Sequence, residues 1–211
     1  MYAILGEDSS DVEMLSTLVK RIAKRQNLTV KKMGYGGCAE LLIKGAKQIR
    51  AYSRIGCTKF IICYDSDRAE PRARHAEIVE KVIAKSEIKG DFCALVPIQE
   101  IESWILADLP AVSKIIPSWK PTKIIHNPEL QQDPKEYLED LSKTAQHRPL
   151  YSHALHNPRI AEHLSLEKIA RKCPSSLPLF ELIQSGIGNH PWPKYGSNKD
   201  RIERIVENLT L

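Results

Sequence analysis

Apolar positions along the first hundred residues change their period repeatedly, and each change marks an element. Tyr2 to Gly6 is a short apolar run. Val12, Leu15, Leu18, Val19 and Ile22 then recur at three-and-four spacing, which predicts a helix. Ser9 or Ser10 suits its cap, and Asp11 and Glu13 in the first turn suit its dipole. Leu28 to Met33 alternates weakly and predicts a second strand. A helix carrying Leu41, Leu42, Ala46 and Ile49 follows Gly34-Tyr35-Gly36-Gly37. Lys59 to Tyr64 is a continuous apolar run, as expected at the centre of a parallel sheet. The pattern then predicts a helix from His75 to Ser86, a strand from Phe92 to Ile98 and a helix running to Asp108. Strands alternating with helices imply right-handed crossovers and a sheet covered on both faces. The fold class expected is α/β, a small parallel sheet flanked by helices.

The pattern changes in the second half. All of the 13 prolines except Pro71 and Pro97 lie at or beyond Pro110, and no β-branched run comparable to 59–64 recurs. Short helices are predicted at 134–146, 157–172, 176–187 and 198–209. The chain therefore divides into an α/β domain over 1–108 and a helical extension over 109–211, packed on it through a loop-rich junction near 109–133.

Composition narrows the class only slightly. With 42% hydrophobic and 27% charged residues the chain is ordinary for a soluble globular protein. No apolar run approaches the ~20 residues of a membrane span. Acidic residues arrive almost at once after Met1, which argues against a signal peptide and for a cytoplasmic setting. The five cysteines lack CxxC spacing and fit reduced, structural thiols rather than a zinc ribbon. His147, His153, His156 and His163 do not have finger spacing either. Gly34 to Gly37 lacks the lysine and serine of a phosphate loop. A net charge of +5 suits a polyanionic partner without diagnosing one.

The acids carry more information. Glu7 and Asp11 follow the first predicted strand, Asp65 and Asp67 the central one, and Glu100 and Glu102 the last. Ligands of open α/β sheets bind outside those strand ends, so these carboxylates should converge. Grouped carboxylates either protonate or bind a cation. Oxygen ligands without His or Cys favour Mg²⁺ or Mn²⁺. Alternation in Asp65-Ser66-Asp67 would put both acids on one side of an extended segment, able to share an ion.

This pattern resembles the TOPRIM domains, which carry a Glu after the first strand and a DxD after a later one. Ile4 to Leu15 is similar to the E-G-x-x-D-x-x-x-L start of OLD-type nucleases and small TOPRIM proteins of phage-defence loci, with Asp11 on the family's Asp and Asp8 where that family has Gly. Glu102-Ser103-Trp104-Ile105-Leu106-Ala107-Asp108 resembles a segment of small TOPRIM-like proteins, as do Pro134-Lys135 and Cys173 to Ser176. The resemblance implies Glu7 as metal ligand or general acid/base, and Asp11, Asp65, Asp67 and Glu102 as metal ligands, with Glu100 ranked below Glu102. Glu7, Asp65 and Asp67 would be catalytic. It implies a Mg²⁺-dependent endonuclease acting on DNA or RNA in antiviral defence.

Basic residues supply the expected grip on nucleic acid. Arg68 directly follows the DxD, with Arg72 and Arg74 beyond it. Lys194, Lys199, Arg201 and Arg204 surround Trp192 and Tyr195, a mixture suited to holding backbones and stacking bases. The competing expectation is a partner-dependent effector that docks an ATPase or other defence protein and is inert alone. A homodimer is compatible with either. A phosphatase using one Asp of the DxD is disfavoured, because such enzymes place that Asp after the first strand.

Overall fold

The computed structural model describes residues 1–186, 188 and 198–210. Four parallel strands, β1 (Tyr2–Gly6), β2 (Val30–Gly34), β3 (Lys59–Cys63) and β4 (Asp91–Leu95), form one sheet in the order β2-β1-β3-β4. The inner strands β1 and β3 carry unbroken apolar runs, as does the edge strand β4, whereas the other edge, β2, does not. Ile4 pairs with Ile61 and Leu5 with Ile62, all four fully buried. The α/β expectation, with a parallel sheet between helical layers, holds.

Period-two alternation divides the core between the faces. Ile4, Ile61, Cys63, Cys93 and Leu95 point to one side, where α1 (Ser9–Ile22) lays down Leu15, Leu18 and Val19. Each such fully buried aliphatic contributes about 1.5–3 kcal/mol. The same apolar cluster continues into α4 (Ser103–Leu106), α5 (Pro134–Leu141), α6 (His153–Ile160), α7 (Leu166–Lys172), α8 (Leu177–Ser185) and α9 (Asn198–Thr210). Leu5, Phe60, Ile62 and Ala94 face the other side, covered by α2 (Cys38–Arg54), α3 (Pro71–Ile78) and a π-helical segment, Val79–Ala84.

Several boundaries moved for identifiable reasons. The helix expected from His75 begins at Pro71, because Glu70 accepts a hydrogen bond from the Ala73 N–H at 2.9 Å and proline suits a first turn. The single helix expected over 157–172 is two helices. Ser165 restarts the chain by accepting a bond from the Lys168 N–H at 3.2 Å. The helix expected over 134–146 stops at Leu141, where the Ser142 hydroxyl takes the N–H groups of Leu150 and Tyr151. The five cysteines are free thiols, and all but Cys38 are buried. No helix among the described residues is long and apolar enough to cross a membrane.

Candidate metal centre

All three pairs of acids lie just past the C-terminal ends of the strands, and the local chain explains how each is aimed. β1 ends at Gly6, and the Glu7 carbonyl accepts a bond from the Gly37 N–H at 3.0 Å. Gly34 lies against this turn so closely that a Cβ there would stand 2.6 Å from the Ser9 nitrogen. Asp8, rather than Ser9 or Ser10, caps α1. Its Oδ1 accepts from the Ser10 and Asp11 N–H groups at 2.6 and 3.0 Å, so its carboxylate has a structural task. Asp11 is thereby held in the first turn of α1, 6% exposed.

Across the β1–β3 seam, Glu7 Oε1 accepts a bond from the Asp65 N–H at 2.9 Å. Ser66 fastens the following loop: its N–H bonds to the Pro97 carbonyl at 3.1 Å and its hydroxyl accepts from the Gln99 N–H at 2.7 Å. The extended alternation expected for Asp65-Ser66-Asp67 does not survive this. Asp67 and Arg68 are both left-handed, with φ of 46° and 65°. Asp65 consequently faces inward and Asp67 is exposed, at the rim. Gln99 and Asp133 are also left-handed and line, with Asp67, Arg68 and Glu100, a small cavity of about 140 Å³. Non-glycine residues in that region cost about 1–3 kcal/mol each and gather where a site dictates the backbone.

Glu102, immediately before α4, is 1% exposed. Asn157, fully buried on α6, donates to its Oε1 at 2.9 Å and accepts from the Tyr151 hydroxyl at 2.5 Å. Glu100 instead turns to α5, accepting from the Lys135 N–H at 3.0 Å with the Lys135 Nζ at 3.5 Å.

These carboxyls disfavour one another's charge. Burial, then Asp11, Glu102 and Glu7, holds the Asp65 carboxyl well above the usual range. Burial, then Glu102 and Asp8, does the same to Asp11. Glu7 is pushed up to about 7, first by burial and also by Asp67, against the pull of the Asp65 N–H. Glu102 also rises to about 7 through burial, opposed by Lys135. Lys135 is the cation inside the cluster. Burial alone would lower its pKa, but Glu102, Glu100, Asp11 and Asp65 together raise it.

Asp65 Oδ1 is buried and has no hydrogen-bond partner among the described residues. An orphaned carboxylate oxygen beside the buried Asp11 and Glu102 and the half-buried Glu7 offers the oxygen donors a hard divalent cation takes, so the residues fit the ion that the pattern implies. Among the described residues no three His, Cys, Asp or Glu side chains stand as a ready-made metal cage. Binding would therefore draw these side chains inward.

Lys135, Asn157 and Tyr151 were not among the expected site residues. Lys135 does leave a trace in the sequence, since a lysine in the first turn of a helix opposes the dipole and so needs another reason. Asn157 and Tyr151 leave none. Of the expected nucleic-acid contacts, Arg68 pairs with Asp133 at the rim. Arg201 is held by both Glu181 oxygens at 2.7 Å, an ion pair that ties α9 to α8. Lys199 is exposed on α9. Lys194, Trp192 and Tyr195 lie outside the described residues.

No curated protein and no solved structure matches this chain. Residues 6–183, which include every acid of the site, match one family model. The chain belongs to the family described as Domain of unknown function (DUF4276).

Proposed function

We propose that the protein is a Mg²⁺- or Mn²⁺-dependent nuclease of TOPRIM type, hydrolysing DNA or RNA phosphodiesters in antiviral defence. The observation that carries this reading is the unpartnered Asp65 Oδ1, buried among Glu7, Asp11 and Glu102. Asp65, Asp11, Glu7 and Glu102 would hold the ion, with Asp67 at the rim. Bound there, it would polarise a scissile phosphate and favour the charge of the attacking and leaving oxygens. The chain's own residues have separate tasks. The Asp65 N–H fixes Glu7 as a ligand or proton acceptor. Asn157 fixes Glu102, and Lys135 keeps a positive charge beside the cluster. The exposed Lys199 would meet a polyanion directly, and Arg68 would do so only by exchanging its Asp133 partner for a phosphate.

The test is incubation with duplex DNA and with tRNA in Mg²⁺ or in EDTA. Cleavage in Mg²⁺ alone that disappears in Asp65→Ala/Asp67→Ala supports the reading, and cleavage that persists in the variant overturns it. A second reading, a partner-dependent effector, draws on the burial of Asp11 and Glu102, which leaves a substrate little access to them unless a partner opens the site. An isolated chain that is inert, with activity restored by a stoichiometric ATPase copurified from native cells, distinguishes it.

A further inference from the structure

We propose that the groove between α2 and the π-helical segment is the docking site for an acidic amphipathic helix of a partner protein. The groove encloses about 710 Å³ on the helical layer that covers the Phe60 and Ile62 face of the sheet. Leu42 and Ala46 form its floor, and Ile43 stands on its wall with 79% of its surface exposed. Lys47, Arg50, Lys81 and Lys85 surround this apolar strip, and among the described residues Glu80 is the one acid on the lining. Lys81 is shared with Glu77 at 2.8 Å, and Arg50 donates to the Lys85 carbonyl at 2.7 Å without losing its charge. An apolar strip bordered by cations is complementary to a helix with Leu-type anchors at i, i+3, i+4 and i+7 and carboxylates beside them.

The walls are prepared for such a ligand. Gly45 lets the two elements touch so closely that a Cβ there would lie 2.8 Å from Val82, fixing the groove's base. One wall is a π segment, a rare geometry that is frequent at functional sites. Among the described residues no aromatic side chain lines the groove, so they offer nucleobases nothing to stack on. Nor, among the described residues, does a second copy bring a fitting helix. The acidic helix α5 already buries Leu138 in the chain's own core, and α9, whose three acids are matched by three basic residues, buries Ile205 and Val206.

The test uses the full chain and a labelled synthetic peptide of about 18 residues, long enough to form a helix, with Leu at the four anchor positions, Glu beside them and Ala elsewhere. Fluorescence anisotropy should show saturable binding with a Kd on the order of 10 μM. Ile43→Asp and Lys47→Glu should each weaken it at least tenfold, as should high salt. Both positions are exposed, and circular dichroism with thermal melting verifies that the variants fold. Absence of binding, equal binding by the variants, or equal binding of a Lys-for-Glu peptide overturns the proposal. So does displacement of the peptide by duplex DNA or phosphatidylserine vesicles that fail to bind the Ile43→Asp protein. A solution dimer dissolved by Ile43→Asp would assign the groove to a second copy and overturn it as well.

Discussion

The acidic end of the sheet and the basic groove beside α2 handle charge in opposite ways. At the sheet end, burial raises the pKa of Asp11, Asp65 and Glu102, the Glu102 charge raises Asp11 and Asp65 further, and Lys135 stands among them. Along the groove, Lys47 and Lys85 stay in water around an apolar strip. Buried like charges are costly unless a cation or proton neutralises them, and so they mark chemistry. Exposed like charges cost little, and so they mark recognition. Substitutions at the sheet end should therefore change rate and stability together, whereas substitutions in the groove should change affinity alone.

The largest effect is expected from the Asp65→Ala/Asp67→Ala protein. It should lose about a thousandfold or more of Mg²⁺-dependent cleavage, because a metal site without its central ligand neither binds nor orients the phosphate. Its thermal midpoint should not fall, since one buried like charge is removed. A midpoint that drops steeply instead would show that Asp65 is a structural acid with a partner.

Next in size is Asn157→Ala. Glu102 would keep its burial and lose its donor, costing about 1–3 kcal/mol of stability. Cleavage should fall about 10–100-fold, as when the outer partners of metal ligands are removed. Urea denaturation and single-turnover cleavage of the same preparation measure the two. An activity loss without a stability loss would place Asn157 in contact with substrate rather than behind Glu102.

Asn157 also shows where sequence reasoning stops. The sheet was legible because β3 is a continuous apolar run and β1 a shorter one. The acids were legible because topology alone sends residues after parallel strands to one edge. Asn157 lies 55 positions from Glu102 in the chain, and nothing in a His-Asn-Pro triplet signals that its amide is fully buried. The turn of Asp67 out of line was equally hidden. It follows from the hydrogen bonds of Ser66 and Asp67 to Pro97 and Gln99, which belong to another strand's loop. Local pattern gives the direction of a strand, while long-range bonds decide how its last residues turn.

A smaller effect, a few degrees in the thermal midpoint, separates the two regions by pH. Glu7 and Glu102 titrate near 7 in the fold, against 4.5 as ordinary glutamates. The protonated form is therefore favoured in the folded state. The stability this confers is present below about pH 4.5 and is lost as pH rises through about 7. Without divalent cation the midpoint should fall between pH 5 and pH 8, in the region of those two values. Mg²⁺ should raise it at pH 8 and do little at pH 5, where protons already occupy the site. Lys47→Glu should leave both curves unchanged in shape. If Mg²⁺ stabilises equally at both pH values, the ion binds somewhere other than these acids.

The smallest effect concerns Asp8, the position where the chain departs from the glycine of the pattern it resembles. Its backbone is extended, with φ of −135°, so no glycine is required there, and its side chain caps α1. Asp8→Gly should cost only a few tenths of a kcal/mol, because glycine is itself a tolerable cap, while Asp8→Ala should cost about 1 kcal/mol. Both remove a negative charge that adds to the raised pKa of Asp11 and of Glu7. The acidic limb of the cleavage profile should then move slightly to lower pH in both variants, although their stabilities differ. This pairing separates the cap from the charge: stability follows the hydrogen bonds to Ser10 and Asp11, and the pH profile follows the carboxylate. Loss of metal-dependent cleavage in Asp8→Gly, with the fold intact, would instead make Asp8 a ligand and the capping bonds a feature of the metal-free protein.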